Sequence, residues 1–232
     1  MKHTLEDWLH LHNISAPIML KYLKQIKVPL APKRDISLPT KMPSRLSFNQ
    51  ALEWVTDGIQ LYFPKHSLDF LKLISLIEYK KQGDSMDYPC VTFGGLGTQP
   101  TVYCDFDGSP ENVLILAHEY GHAIQFMAAQ KDFIPPILRE TFAFLIELIM
   151  VQHAKTKSND FWTYLRWEIK QDNRVYFGRD LRALSSAILL PNFGYYYRAN
   201  YTPARALAYR IFSRCDRSDA LRLLEGHGPK FI

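Results

Sequence analysis

Cysteine is scarce in this chain: Cys90, Cys104 and Cys215 are the three among 232 residues. An odd count without paired spacing excludes a disulfide scaffold and a cysteine-ligated zinc site, so reduced thiols are expected. No apolar run reaches the roughly 18 residues needed to span a bilayer, and the opening MKHTLEDWLHLHN has neither an apolar signal core nor a small-residue cleavage site. No membrane partner is expected, and the cytoplasm is the expected compartment. The net charge is +5, concentrated in Arg198, Arg205, Arg210, Arg214, Arg217 and Arg222. No zinc-finger, RNP or helix-turn-helix pattern accompanies those arginines, so nucleic acid is not an expected partner either. They read as a solvated helix face or as an attraction for acidic peptide.

What is present is an ordinary globular balance, 47% hydrophobic and 22% charged, which sets aside the disordered and fibrous classes. One compact domain is expected over residues 1–232, with helices and a proline-rich connector over 1–45 and the main core over 46–232. TLEDWLHLH and APIMLKYLKQIK carry helical periodicity, whereas VPLAPKRDISLPTKMPSR should be crossed by no regular element. Ser47 and Gln50 form a capping box ahead of FNQALEWVTDGIQLYF, and Pro64 with Ser67 marks a break before a second helix, LDFLKLISLIEYKK. Between Tyr88 and Phe106 the texture turns β-rich, giving two short strands, YPCVTF and TVYCDF, separated by GGLGTQP. A turn over Asp107 and Gly108 then starts a helix at Ser109 or Pro110. Further helices follow in RETFAFLIELIMVQHA and around NDFWTYLRWEIKQDNRVYFGRDLRALSSAILL, and then the aromatic segment PNFGYYYRANYTPARALAYRIF. The expected fold class is mainly α with a small β-sheet.

The helix ENVLILAHEYGHAIQF sets two histidines and a glutamate among apolar residues. His118, Glu119 and His122 spell H-E-x-x-H, and histidines four apart on a helix project from one face toward a single ion, usually zinc. Glu119, beside the first histidine, is placed to take a proton from a water at the metal without binding the metal itself. Unpaired, these side chains would be costly to desolvate inside so apolar a helix. Gly121 costs about 1 kcal/mol in a helix relative to alanine, which points to another element packing closely there. Gln125 and Ala128 stand where the extended three-histidine pattern needs glycine and histidine, so that subclass is excluded. The next helix offers Glu140 and Glu147, seven apart on one face amid apolar neighbours. Glu140 is the expected third ligand. Glu147 either orients a ligating histidine or pairs with an arginine. His153, beyond this run, is expected to be exposed.

With these pieces placed, the chain resembles the thimet oligopeptidase and oligoendopeptidase F family of zinc peptidases, over most of residues 15–226. The carriers are PTVYCDFDGSPENVLILAHEYGHAIQ, RETFAFLIE and LPNFGYYYRANYTPARALA, with weaker likeness at RCDRSDALRLLEG. The resemblance implies a zincin-type catalytic core over 46–232, one zinc ion per chain, and endoproteolytic cleavage of short unstructured peptides. It matches His118, His122 and Glu140 to the metal ligands and Glu119 to the general base. It makes Tyr197 and Tyr201 the tyrosines that contact substrate and steady the oxyanion; Tyr195 and Tyr196 fit less well and read equally as packing aromatics. Substrate is expected to lie along an edge strand, YPCVTF or TVYCDF, with Phe93, Gly94, Tyr195 and Asn192 among its contacts.

Asn192 and Gln125 occupy places where members of the family often have histidine. Members are also usually far longer, with an amino-terminal helical part that walls off a channel. The site is therefore expected to be more open, unless a second copy of the chain or a partner protein replaces that wall. Two versions of the enzyme stay open, a scavenger of oligopeptides and a dedicated processing peptidase that removes a leader from one substrate. A non-catalytic, zinc-stabilised peptide-binding module is the competing class.

Overall fold

A computed structural model describes residues 3–26, 39, 42–81, 88–94, 97–130, 133–190 and 192–228. Its organising element is a helix buried on every side along its middle. This helix, α6 (Pro136–Lys157), buries an unbroken run from Glu140 to Val151 and packs against four others: α3 (Phe48–Tyr62), α5 (Pro110–Ala129), α7 (Asn159–Arg174) and α9 (Tyr201–Arg214). A helix with no solvent-facing side along its middle belongs at the centre of a core, which is where α6 lies. The remaining helices are α1 (Leu5–Leu11), α2 (Ala16–Gln25), α4 (Ser67–Ser75), α8 (Leu181–Ala187) and α10 (Arg217–Leu224). A π-helical stretch over Val175–Asp180 joins α7 to α8, so the long helix expected there continues through a wider turn.

The starts of the helices follow their sequences. Ser47 and Gln50 close the capping box of α3. Ser109 caps α5 by accepting from the Asn112 N–H, and Pro110 takes the first helical position, where its missing donor costs nothing. Of the proline-rich connector, residues 28–38, 40 and 41 lie outside the described residues, and Pro39 and 42–45 belong to no regular element.

The sheet has three short strands, β1 (Glu78–Lys80), β2 (Cys90–Thr92) and β3 (Thr101–Tyr103), in the order β1-β3-β2. β3 pairs parallel with β1 and antiparallel with β2. Two expectations are corrected. The helix expected through LIEYKK stops at Ser75, and EYK becomes β1 because Tyr79 packs on Phe48 at 4.1 Å while its neighbours face out. TVYCDF supplies the central strand, not an edge, so β2 is the one of the two expected strands with a side open to an added strand.

The crossing of α5 and α6 is unusually tight. A Cβ placed on Gly121 would lie 2.8 Å from the Ala143 Cα, and 3.3 Å from Ile146. No side chain fits that gap without moving a helix. Gly121→Ala is therefore expected to destabilise the fold by about 1–3 kcal/mol, the usual cost of overpacking. Thermal unfolding of the variant should fall by roughly 2–12 °C for a chain of this size; an unchanged midpoint would contradict this crossing.

Candidate metal centre

The close crossing brings side chains from both helices to one point. On α5, His118 and His122 share a face; on α6, Glu140 and Glu147 share another, two turns apart. The His118 Nε2 lies 3.3 Å from the Glu140 Oε2, and the His122 Nε2 lies 3.6 Å from the Glu140 Oε1. One ligand atom from each of His118, His122 and Glu140 falls within 4.8 Å of the others. A tetrahedral ion with bonds of about 2.0–2.1 Å needs its ligands about 3.3 Å apart, so little movement separates this cluster from a metal site.

The hydrogen bonds around the cluster prepare it for a cation. Glu147 Oε1 sits 2.6 Å from His118 Nδ1, which leaves the His118 Nε2 facing Glu140. Arg205 Nη1 donates to the other Glu147 oxygen at 2.5 Å. Both alternatives read for Glu147 thus hold together: it orients a histidine and pairs with an arginine. Glu140 Oε2 is buried without a satisfactory donor. An imidazole lone pair opposite a carboxylate oxygen is stable only with a positive charge between them, a proton or a metal ion.

The titration directions say the same. Burial disfavours a charged His118, yet the Glu140 and Glu147 carboxylates beside it hold its pKa well above the ordinary histidine value. Burial keeps His122 neutral, pushed down to about 3. Glu140 would be raised by burial, but His122, His118 and the Tyr197 hydroxyl bring it down to about 2. Without metal, a proton shared with His118 fills the gap, and a metal ion would displace it. Glu119 is only 8% exposed, meets no donor among the described residues, and is pushed up to about 7 by burial against the opposing pull of His118.

The cluster opens onto a cleft of about 530 Å³ lined by Tyr88 to Val91, Phe126, Arg139 and the two tyrosines, Tyr197 and Tyr201. Tyr197 donates to the Glu140 Oε1 at 2.5 Å, whereas no hydrogen bond of the Tyr201 hydroxyl falls among the described residues. Tyr195 is half-buried, with its hydroxyl accepting from Asn200 at 2.8 Å. Asn192 is exposed in a left-handed conformation at φ 59° and does not line the cleft. Phe93 stacks on the wall residue Phe126 at 5.2 Å, and Gly94 packs on Thr98; neither lines the cleft itself. Gln125 is fully buried, donating to the Leu223 carbonyl at 2.7 Å, so it is a helix-packing residue.

Two expectations fail. His153 is 6% exposed, because α3 packs over the end of α6 and Gly58 makes room for its ring. Arg205 is not part of a solvated face: it is wholly buried, held by Glu147 and stacked on Phe144 at 4.7 Å. Arg139, Tyr88 and Arg205 are the site residues that sequence reasoning missed. The signal for Arg205 was its place in TPARALA, an arginine in an apolar helix facing a buried glutamate.

The Glu147 carboxylate carries two partners and should be missed by both. Glu147→Gln is expected to weaken metal binding 10- to 100-fold, measured by competition with a chelator. Arg205→Met, which leaves Glu147 charged and buried, should cost about 3–5 kcal/mol in denaturant unfolding, more than Glu147→Gln and Arg205→Met together.

No protein-family profile and no curated protein sequence matches the chain. Solved structures do. A Chlamydophila abortus protein assigned as a peptidase superposes with a TM-score of 0.59 at 13% identity, over 93% of this chain and 47% of that one. An oligoendopeptidase F assignment from Bacillus anthracis str. Ames gives 0.56 at 14% identity, over 95% and 48%, and PZ peptidase A with an inhibitor gives 0.55 at 14%, over 97% and 52%. The chain spans about half the length of these structures, and at this identity the likeness is one of fold: the architecture that brings His118, His122 and Glu140 together is shared with half of each of these peptidase structures.

Proposed function

We propose that this chain is a zinc-dependent endopeptidase acting on short, unstructured peptides. The observation that carries the reading is the His118, His122 and Glu140 cluster, at near-tetrahedral spacing, opening onto a cleft beside a Glu119 that meets no donor among the described residues. Two imidazoles and one carboxylate are a set that zinc accepts in hydrolytic sites, and the buried carboxylate oxygen without a donor fits a cation. When bound, zinc supplies a Lewis acid that makes water a nucleophile near neutral pH.

The chain's own residues do the rest. Glu119 takes the proton of the attacking water and returns it to the leaving amine, a role suited to a carboxylate whose pKa is raised toward neutrality. Tyr201, whose hydroxyl makes no hydrogen bond among the described residues, donates to the peptide oxygen as negative charge develops there. Tyr197 steadies Glu140, and with that carboxylate holding the metal its hydroxyl would be available to substrate. The open side of β2, where Cys90 and Val91 line the cleft, adds main-chain hydrogen bonds to an extended peptide.

Buried Glu119 has no use in a purely structural metal site, which separates this reading from a peptide-binding module. Glu119→Gln should retain one zinc per chain by elemental analysis and lose 10²- to 10⁴-fold in cleavage of a quenched fluorescent peptide. Glu140→Ala should lose the zinc itself. Zinc-loaded wild-type protein that binds peptides and cleaves none would leave the module instead. Digestion of a peptide library separates scavenging, with many products, from processing of one leader sequence.

A further inference from the structure

The cleft holds a positive charge that the reaction does not use. α6 places Arg139 one residue ahead of Glu140, so its guanidinium stands in the wall of the same cleft, half-buried. It packs between two rings, 5.9 Å from the centre of Phe126 and 5.7 Å from that of Tyr197. Its one hydrogen bond among the described residues runs from Nη2 to the Tyr197 hydroxyl, 2.6 Å. A guanidinium carries five N–H donors, so most of its capacity is unspent.

The other arginines near the site differ. Arg198 holds the Asp180 carboxylate at 2.7 Å, and Arg205 holds Glu147. No carboxylate among the described residues stands within ion-pair distance of Arg139. A partly desolvated guanidinium clamped between aromatic rings matches a carboxylate better than any neutral group.

A neighbouring part of the cleft is acidic. An adjoining lobe of about 370 Å³ shares Tyr88, Pro89, His118, Glu119 and Tyr201 with the main cleft, and adds Glu111, Glu168 and Asp172 to its wall. His118 and Glu119 therefore border both the wall that carries Arg139 and a lobe lined by carboxyl groups.

Building on the peptidase reading, we propose that Arg139 binds a carboxylate of the substrate peptide and thereby sets its position and direction across the metal. The carboxylate is the peptide's C-terminus or the side chain of an aspartate or glutamate. Because Arg139 adjoins Glu140 in the chain, that group lies within roughly two residues of the bond cleaved, at about 3.3–3.6 Å per extended residue.

The test uses matched quenched peptides on zinc-loaded protein: C-terminal acid against amide, and glutamate against glutamine near the cleavage point. Wild type should cleave at least one carboxylate form with kcat/KM about 10-fold above its neutral counterpart. An advantage confined to the acid over the amide identifies the terminus as the source; one confined to glutamate identifies the side chain. In Arg139→Gln the ratio should fall to about one. If Arg139 merely steadies Tyr197, both peptides slow equally and the ratio survives, which overturns the proposal, as does a wild type that prefers neither form. Should no peptide be cleaved, the peptidase reading fails, and anisotropy of the labelled acid and amide on wild type and R139Q decides the anchor alone: tighter binding of the acid, lost in R139Q, upholds it, and equal binding overturns it.

Discussion

The contact between Gly121 and Ala143 is the constraint on which the site depends. Histidine and glutamate side chains are short, and to meet on one ion from two helices they need backbones closer than ordinary side-chain packing allows. Interhelical distances of about 8–10 Å are usual, with the low end reached where small residues face each other. Here the absence of a Cβ at Gly121 removes the spacer one residue before His122, and Ala143 does the same one turn after Glu140. The helical penalty of a glycine is offset by what the crossing allows: His118 and His122 on one side and Glu140 on the other, with facing atoms 3.3 and 3.6 Å apart.

That proximity would be unstable without a charge plan. Glu140 and Glu147 bring two buried negative charges to His118, and Arg205 brings one positive charge from α9, fully buried against Glu147. One negative charge, that of Glu140, remains to be met from within the cluster. A proton on His118 meets it without metal, and a divalent ion would meet it with a charge to spare, acting next on Glu119. The Arg205 to Glu147 to His118 chain thus sets the orientation of one imidazole and the electrostatic demand of the cluster. Buried ion pairs are weak sources of stability in themselves, and the value of this one lies in orientation.

How far this was legible from sequence depends on the range of each interaction. The caps of α3 and α5, the break at Pro64, and the sharing of one face by His118 and His122 and of another by Glu140 and Glu147 follow from local spacing, because three- and four-residue periodicity decides which side chains share a face; that the two faces meet does not. β1 was read as helix because EYK continues an amphipathic pattern, and only its packing on Phe48 and pairing with β3 make it a strand. The strand order is equally non-local: nothing in TVYCDF says that it lies between the other two. His153 and Arg205 were placed at the surface by residue type, yet α3 covers the one and Glu147 draws in the other. Arg139 stands beside Glu140 in RETFAFLIE, yet that no carboxylate among the described residues pairs with it depends on its surroundings in the fold, which the local pattern does not carry.

The tyrosine segment shows how a loop becomes a precise wall. Asn200 is wholly buried and spends its amide fully: its Oδ1 accepts from the Trp8 indole at 2.7 Å, and its Nδ2 donates to the Tyr195 hydroxyl at 2.8 Å and the Tyr197 carbonyl at 2.7 Å. The backbone of residues 193–195 adds hydrogen bonds to His3 and Leu5. α1 therefore holds the segment from behind, so Tyr197 and Tyr201 face Glu140 and the cleft from a backbone fixed at several points. A buried amide with every group satisfied specifies one arrangement, since any shift of the segment leaves a donor or acceptor unpaired at a cost of about 1–3 kcal/mol. The wall of the cleft is accordingly coupled to the amino-terminal helix, and one asparagine ties the segment beside Glu140 to Trp8, 192 positions before it in sequence.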